Sequence, residues 1–258
     1  MNAERVLAGI ESLTGAEIVR AFDGGPASQS YLVRHHDTRY VLRIDTPIAR
    51  MLNLDRVTEA GLLAAVAEAG LGPEPIFTDA GNGVLVTRYL EGRAWTEHDL
   101  HADDALERLA ELLKQVHGLP AIGRPIELPY KLSAYARAIG SSKADELAIE
   151  ALDILAGLGD SDARQCLCHN DVTCANVIDG DRLALIDWEY AALGDPFFDL
   201  ATVVQHHGLD DSQATKLLRI YLGQAVDEDI HRLRQWCELY GRLAALWEAA
   251  VEQFSGPD

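Results

Sequence analysis

Residues 166–201 read CLCHNDVTCANVIDGDRLALIDWEYAALGDPFFDLA, and acidic and amide side chains recur in this stretch at short intervals. Its first part contains His169, Asp171 and Asn176 in an H-x-D-x-x-x-x-N pattern. Its second part contains the apolar run LALI, followed directly by Asp187. The stretch therefore predicts two loops that each carry oxygen ligands.

Short strands are predicted at 164–168 and 183–186, so each loop would follow a rigid element. Transfer of a phosphoryl group requires an acceptor hydroxyl held in line and a neutralised phosphate charge, usually by magnesium. Asp171 can orient and deprotonate a hydroxyl. Asn176 and Asp187 offer the hard oxygen ligands that Mg²⁺ accepts. The spacing therefore indicates a phosphoryl-transfer site.

Aspartate and asparagine also form turns and cap helices, so Asn176 or Asp187 alone would indicate nothing. Together with Asp171 they are much harder to explain as turn residues. The motif remains a hypothesis that its structural context must test.

The pattern is similar to the protein-kinase signature, in which H-R-D precedes a metal-binding Asn and D-F-G. Here Asn170 replaces the Arg, and Trp188-Glu189 replaces Phe-Gly. With CHND, LIDWEYA and GDPFFDLA, the stretch resembles the choline/ethanolamine kinase and aminoglycoside phosphotransferase superfamily, closest to its choline kinase arm. The resemblance implies an α+β, bilobal protein-kinase-like fold, with a small antiparallel-sheet N-lobe and a mainly helical C-lobe.

The same resemblance implies roles for individual residues and two cofactors, ATP and Mg²⁺. Asp171 would be the catalytic base, and Asn176 and Asp187 the magnesium ligands. Glu189 would be a ligand to a second metal. His169 and Asp199 would have structural roles. Asp199 would brace the catalytic loop by hydrogen bonding.

The N-terminal part reads as a strand at 18–22, a Gly-rich turn at 23–30 and a strand at 31–33. Alone this would be an ordinary hairpin, but the superfamily places its nucleotide-phosphate loop here. The turn lacks the full G-x-G-x-x-G of protein kinases. The candidate nucleotide-binding residues are Gly24, Gly25, Ser28, Gln29 and Ser30.

A second hairpin returns through VLRI, which occupies the place of V-A-I-K in protein kinases. Arg43 would supply a positive charge and a bidentate fork to phosphate. Glu59, on a helix predicted at 53–69, is its candidate partner. The alternative for Arg43 is a solvent-facing strand residue in a surface ion pair, and a solvated glutamate explains Glu59 equally well. Thr87 and Tyr89 resemble the hinge whose backbone would bind adenine. The predicted lobes are 1–89, which binds nucleotide, and 90–258, which carries catalysis and the acceptor.

The C-terminal part reads as helices at 103–117, 133–138, 143–158, 212–223 and 228–252. His117 ends the first of these, and a helix C-terminal cap explains it sufficiently. His206 and His207 are assigned to a loop.

Aromatic residues cluster in the deciding stretch and in the last helix. Aromatic faces bind quaternary ammonium groups by cation–π attraction worth about 0.5–2 kcal/mol per contact. Core packing explains the helical ones as well, and Trp247 is the first choice for a choline cage. The candidate substrate-binding residues are Trp188, Tyr190, Trp236, Tyr240 and Trp247.

The 258-residue chain has a formal net charge of −19 and no basic cluster. Nucleic acid and anionic membranes are poor partners for such a surface. A cationic substrate would be attracted, although acidic surfaces also serve solubility alone. No apolar run approaches the ~20 residues that span a bilayer, and no signal peptide or membrane anchor is evident.

The four cysteines do not form a disulfide framework in a chain of this size, which favours a reducing cytoplasm. Cys166, Cys168 and Cys174 with His169 raise the alternative of a zinc site. Zinc spacings usually pair C-x₂₋₄-C, and small buried thiols are common in cores. The sequence does not determine the oligomeric state.

These observations predict an ATP- and Mg²⁺-dependent kinase that phosphorylates a small cationic alcohol, choline first and ethanolamine second. A thiamine kinase or an aminoglycoside phosphotransferase is the alternative among enzymes. A catalytically silent nucleotide-binding protein is the alternative of another class, and the presence of Asp171, Asn176 and Asp187 together argues against it.

Overall fold

Residues 2–102, 104–159 and 165–255 are described by a computed structural model. The chain divides into two units, Met1–Glu91 and Gly92–Asp258. The first unit is built on an antiparallel sheet and the second is mainly helical. This is the α+β class that the sequence predicted.

Alternating apolar residues build the sheet of the first unit, because successive side chains on a strand point to opposite faces. Val33, Leu42 and Val86 are fully buried on one face, where a short N-terminal helix packs against them. The strands are antiparallel in the order β1-β2-β3-β5-β4. They are β1 (Glu17–Ala21), β2 (Ser28–His35), β3 (Thr38–Asp45), β4 (Pro75–Asp79) and β5 (Val84–Arg88), and the helix is α1 (Ala3–Ala8).

Two helices follow β3, namely α2 (Pro47–Met51) and α3 (Arg56–Glu68). The sequence did not predict α2, in which Thr46 caps the first turn and Pro47 lies near its start. Helix α3 lies within the range predicted at 53–69 and buries Leu62, Leu63 and Val66, whereas Val57 is 70% exposed.

The second unit contains α4 (Ala105–His117), α5 (Leu128–Ile139), α6 (Ser142–Leu158), α7 (Phe197–His206), α8 (Asp211–Leu222) and α9 (Asp227–Phe254). The predicted first residue of α4, Asp103, lies outside the described residues. Helix α5 begins five residues before its prediction, because Pro129 occupies its first turn rather than preceding it.

Helix α7 was not predicted, and the assignment of His206 to a loop was wrong, since this residue ends the helix. The residues of α7 from Phe197 to Val204 are all buried. A helix that is buried on every side has no apolar stripe, so helical periodicity does not mark it.

Five short strands of the second unit support the predicted loops. They are β6 (Arg93–Ala94), β7 (Cys166–Cys168), β8 (Val177–Asp179), β9 (Leu183–Leu185) and β10 (Ala192–Gly194). Strands β6, β8 and β9 form one antiparallel sheet, and β7 pairs with β10. The strand predicted at 164–168 is thus observed from Cys166, and Arg164 lies outside the described residues.

Across the described ranges, no helix combines the length and the apolar character needed to cross a bilayer.

Candidate active site

The loop that follows β7 is held by a single buried carboxylate. The backbone N–H of His169 donates to Asp199 Oδ2 at 2.8 Å, and that of Asn170 donates to Oδ1 at 2.6 Å. Asp199 is fully buried at the first turn of α7. Both carboxylate oxygens therefore fix the backbone immediately before Asp171.

His117 provides a third hydrogen bond to this carboxylate. Its Nε2 lies 3.0 Å from Asp199 Oδ2, and the Tyr221 hydroxyl lies 2.7 Å from its Nδ1. Burial raises the pKa of Asp199, but the hydrogen bond and charge of His117 lower it below its ordinary value. Although His117 ends α4, a capping role was an incomplete interpretation, because its ring links the loop brace to α8.

His169 joins the two predicted loops. Its Nε2 lies 2.9 Å from the carbonyl oxygen of Ile186, and the N–H of Asp171 donates to its Nδ1 at 3.3 Å. This pattern corresponds to a neutral imidazole that donates from Nε2, and burial lowers the pKa of His169 accordingly. The ring meets Trp188 edge to face, with centroids 4.7 Å apart.

Asp171 and Asn176 face each other within the first loop. The Asn176 side-chain nitrogen donates to Asp171 Oδ2 at 2.8 Å and to the Asp171 carbonyl at 2.9 Å. Because the amide nitrogen makes these contacts, Oδ1 is the atom that Asn176 can offer to a cation. Burial, followed by the charge of Asp187, raises the pKa of Asp171 from 3.8 to about 7.

Asp187 lies at the start of the second loop with φ of 62°, and Asn170 adopts φ of 63° in the first. Such left-handed conformations are uncommon outside glycine and recur at functional sites. The Ile186 N–H donates to the Asn176 carbonyl at 3.0 Å, which ties the loops together. The donor set of Asp187 carboxylate and Asn176 amide oxygen fits a hard cation, which would also offset the repulsion between Asp171 and Asp187.

Three of the five aromatic candidates are buried in the protein. Trp188 is 1% exposed, and its Nε1 donates to the Leu185 carbonyl at 3.0 Å. Trp236 and Tyr240, at 5% and 8% exposed, pack edge to face on Phe198. Aromatic rings that are enclosed by other protein side chains cannot offer a face to a substrate. Of the predicted cage residues, only Tyr190 and Trp247 remain as candidates.

Tyr190 and Trp247 are half-buried and contact each other. The Trp247 Nε1 donates to the Tyr190 hydroxyl at 3.0 Å, and the Asn170 side-chain nitrogen donates to the Tyr190 carbonyl at 2.9 Å. Burial, and then the charge of Glu189, raises the pKa of Tyr190. The Lys131 amine lies 5.8 Å from the centroid of the Tyr190 ring, and burial lowers its pKa. Tyr190 is therefore bonded directly to the loop that carries Asp171, and Trp247 is connected to that loop through Tyr190.

In the first unit, Arg43 and Glu59 form the predicted ion pair, as part of a larger network. Arg43 donates from Nη1 and Nη2 to the two Glu59 oxygens at 2.7 and 2.5 Å. Arg56 donates to Glu59 Oε2 at 3.0 Å and grips Asp45 with two further bonds, at 3.0 and 2.6 Å. Burial raises the pKa of Glu59, but the two arginines lower it below its ordinary value.

The network depends on one glycine. The backbone of Gly83 has φ of 65°, and a Cβ there would lie 2.4 Å from Asp45 Oδ2. The Asp45 N–H donates to the Gly83 carbonyl at 2.8 Å. Only glycine fits this approach, which aligns Asp45 for Arg56.

Replacing Glu59 with alanine is expected to lower the free energy of unfolding by about 3–5 kcal/mol, because it removes the buried carboxylate that both guanidinium groups contact. Chemical denaturation monitored by circular dichroism measures this loss. Glu68→Ala on the same helix is the matched control, since Glu68 is exposed, and it should change stability by less than about 0.5 kcal/mol. Equal effects of the two substitutions would contradict the buried network.

The remaining candidate nucleotide-binding residues do not all lie in the predicted turn. Gly24 and Gly25 lie in the connection between β1 and β2, but the turn predicted to reach residue 30 ends earlier. The other three belong to β2 and pair with β3, so their backbone groups lie in or next to the ladder; they are Ser28, Gln29 and Ser30.

Thr87 lies on β5 between β3 and β4. The N–H of Tyr89 donates to the Arg39 carbonyl at 3.0 Å, and the Arg39 guanidinium lies over the Tyr89 ring at 4.7 Å. An adenine contact by the backbone of Tyr89 would therefore use its carbonyl.

The structure does not assemble the zinc alternative in the combination considered from sequence. His169 uses both ring nitrogens within the loops. The thiol of Cys174 lies 3.2 Å from His207 Nδ1 instead. Cys166 and Cys168 do share a face of β7, with their sulfur atoms 3.8 Å apart.

Sequence reasoning missed three residues that hold the candidate groups and lie outside any motif, namely Arg56, Asp45 and Tyr221, and it gave His117 only a capping role. Arg56 precedes Glu59 by one helical turn, a spacing that allows an ion pair, and this signal was available. The others are distant in sequence from their partners, and only the fold brings them together; they are Asp45, His117 and Tyr221.

An aspartate that faces an amide in an H-x-D-x-x-x-x-N loop, a second aspartate after the next strand, and a sheet unit joined to a helical unit define a phosphotransferase of the kinase-like fold. The chain belongs to the phosphotransferase enzyme family, whose model matches residues 18–236.

Relatives and solved structures agree with this assignment. Protein LicA of Haemophilus influenzae is 30% identical over 210 residues, which cover 78% of this chain and 62% of LicA. The chain thus spans less than two thirds of that relative. A choline/ethanolamine kinase family protein from Mesorhizobium loti is 26% identical, with a TM-score of 0.76 over 95% of this chain and 83% of that one. Choline kinase LicA from Streptococcus pneumoniae shares the fold at 20% identity, with a TM-score of 0.82 over 99% and 92% of the two chains.

Proposed function

We propose that the protein transfers a phosphoryl group from ATP, with Mg²⁺, to the hydroxyl of a small cationic alcohol, choline first and ethanolamine second. The observation that carries the proposal is the Asp171–Asn176 contact at 2.8 Å, in a loop whose backbone is fixed by Asp199. Two similar proteins described as choline or choline/ethanolamine kinases support the acceptor class.

Asp171 is assigned as the base that accepts the proton of the acceptor hydroxyl. Its raised pKa, about 7, places proton transfer close to neutral pH, where a general base is most effective. Asn176 restrains the carboxylate through Oδ2, which leaves Oδ1 to receive the proton. Asp199 positions this loop without touching the reacting atoms.

Asn176 Oδ1 and Asp187 are assigned as the ligands that would hold Mg²⁺, and Glu189 as a candidate ligand to a second ion. Bound Mg²⁺ supplies the neutralisation of phosphate charge that the transfer requires. Arg43, held by Glu59 with its planar fork, is assigned to the phosphates of the nucleotide.

We assign Tyr190 and Trp247 to the acceptor's ammonium group, because they are the half-buried members of the aromatic set and adjoin the Asp171 loop. A net charge of −19 favours the approach of a cation. The same charge makes nucleic acid an unsuitable partner. A cytoplasmic location is proposed because all four cysteines are free thiols.

An ADP-release assay with MgATP against choline, ethanolamine, thiamine and kanamycin tests the proposal. Choline-dependent release that exceeds release with the other acceptors is expected. Release with only thiamine or kanamycin would retain the kinase and reject the acceptor. No acceptor-dependent release in the presence of bound nucleotide would favour a silent nucleotide-binding protein.

Replacing Trp247 with alanine is expected to raise KM for choline by about 2- to 30-fold, since a cation–π contact is worth about 0.5–2 kcal/mol. Steady-state ADP release measures KM and kcat. Trp236→Phe is the control, because Trp236 belongs to the core and its substitution should leave KM unchanged.

In the same assay, Lys131→Met tests whether the acceptor carries a positive charge. Removal of the amine near the Tyr190 ring should lower KM for a cationic acceptor, because like charges repel. A higher KM in this variant would contradict a cationic acceptor.

A further inference from the structure

Three side chains with metal-ligating atoms meet at β7, the strand that leads into the Asp171 loop, and none of them is assigned to catalysis. One ligand atom each from His117, Cys166 and Cys168 lies within 4.8 Å of the other two. The cysteines are two residues apart on β7, so their side chains share one face of the strand. They are 6% and 0% exposed. Two thiols and an imidazole therefore converge in one buried place.

We propose that His117, Cys166 and Cys168 form a site for a thiophilic divalent ion of the Zn²⁺ class, and that its occupation loosens the brace of the Asp171 loop. The sulfur atoms lie 3.8 Å apart. Two thiolates at about 2.3 Å from one tetrahedral ion are separated by about 3.8 Å, so the cysteines already have the spacing of two ligands. Imidazole nitrogen completes a Cys₂His set, and water takes the fourth position.

Binding replaces bonds that can be identified. Each thiol releases its proton to solvent, and the two thiolates balance the two positive charges of the ion. His117 now uses one ring nitrogen toward Tyr221 and the other toward Asp199. The metal is assigned to Nε2, which must then give up its hydrogen bond to Asp199.

The effect of binding reaches the loop through Asp199. This carboxylate accepts from His117 and from the N–H groups of His169 and Asn170. Coordination through Nε2 removes the hydrogen bond of His117 to Asp199, so that carboxylate keeps only its two backbone donors and holds their amides less firmly. The site is therefore linked to the Asp171 loop by two successive hydrogen bonds.

The binding part of this inference does not depend on the proposed acceptor. Reduced protein freed of metal by chelator should be titrated with Cd²⁺, which gives an ultraviolet thiolate-to-metal charge-transfer band. One ion per chain is expected, after long equilibration, because the thiols are buried. Cys166→Ser with Cys168→Ser should abolish the band, whereas Cys237→Ser on α9 is the matched control and should retain it.

A second experiment uses only the wild-type chain, so its result does not depend on whether a variant folds. Bound Cd²⁺ should protect Cys166 and Cys168, but not Cys237, from alkylation followed by mass spectrometry. A band that persists in the double variant, or equal protection of all thiols, would overturn the site.

Hydrogen exchange tests the link to the loop. Exchange at the His169 and Asn170 amides should accelerate on Cd²⁺ or Zn²⁺ binding in the wild type and in Cys237→Ser, but not in the double variant. Binding with unchanged exchange would overturn the link. This readout holds even if the proposed kinase activity fails; where ADP release is observed, Zn²⁺ should reduce it only in chains that retain both cysteines.

Discussion

Asp171→Asn is expected to lower kcat by about 10²–10⁴-fold, the range that a general base contributes, while nucleotide affinity changes little. The amide has the shape of the carboxylate but cannot accept the hydroxyl proton. Steady-state ADP release gives kcat, and calorimetry gives the Kd for the nucleotide.

Asp181→Asn is the matched control, because Asp181 is exposed in the turn between β8 and β9 of the same region. It should retain full turnover. Lost nucleotide affinity with retained turnover in Asp171→Asn would contradict the assignment of Asp171 as the base.

The pH dependence of the wild type follows from the same residue. The carboxylate must be deprotonated to act as a base, and burial with the charge of Asp187 raises its pKa to about 7. We therefore expect kcat/KM to rise with pH and to level off at or below about 7, because a bound cation offsets the charge of Asp187. A pH profile that is flat from 5 to 8 would contradict this.

The raised pKa also predicts that Asp171→Asn stabilises the metal-free protein. Between 3.8 and about 7 the folded chain binds more protons at this site than the unfolded chain does, so the free energy of unfolding falls as pH rises. Asparagine has no such dependence. The variant should be more stable by about 2–4 kcal/mol at pH 8 and nearly equal to the wild type at pH 3.5. An inactive but stabilised variant would separate loss of the base from misfolding.

Short-range patterns were sufficient for much of the fold. Turn residues between short apolar runs predicted the strands β1 to β3 of the first unit, and helical spacing of apolar residues predicted α4. The spacing of Asp171 and Asn176 predicted neighbours because only four residues separate them. In each case the pattern and the contact lie within one element or one loop.

Long-range contacts were not predictable in the same way. Trp188 and Trp247 were both aromatic candidates, with Trp247 preferred, and burial against His169 now separates Trp188 from the half-buried Trp247. His117 meets Asp199 across 82 residues of sequence. A single sequence contains no local signal for either, because the tertiary packing of α4, α7 and the loops determines both.

Asp199→Ala is expected to lower the free energy of unfolding by about 3–5 kcal/mol and to reduce kcat strongly. The substitution removes a fully buried carboxylate that accepts hydrogen bonds from three donors, namely His169, Asn170 and His117. A buried donor without a partner loses about 1–3 kcal/mol, and breaking a buried charge network adds to this. Denaturation and ADP release measure the two effects, and Asp211→Ala, at an exposed ion pair, is the control that should change neither.

Asp199→Asn tests whether Asp199 acts by holding the loop in position or through its negative charge. Its side chain keeps one oxygen, which can accept from one backbone amide, while its NH₂ group opposes the other N–H. If geometry of the loop is what matters, Asp199→Asn should fall between the wild type and Asp199→Ala in both stability and kcat, and His117→Gln should be milder, since it removes one donor and leaves both amide contacts. If instead the negative charge of Asp199 were the essential property, the asparagine and alanine variants would be equally inactive. The order of these three variants therefore decides whether Asp199 acts by holding Asp171 in place.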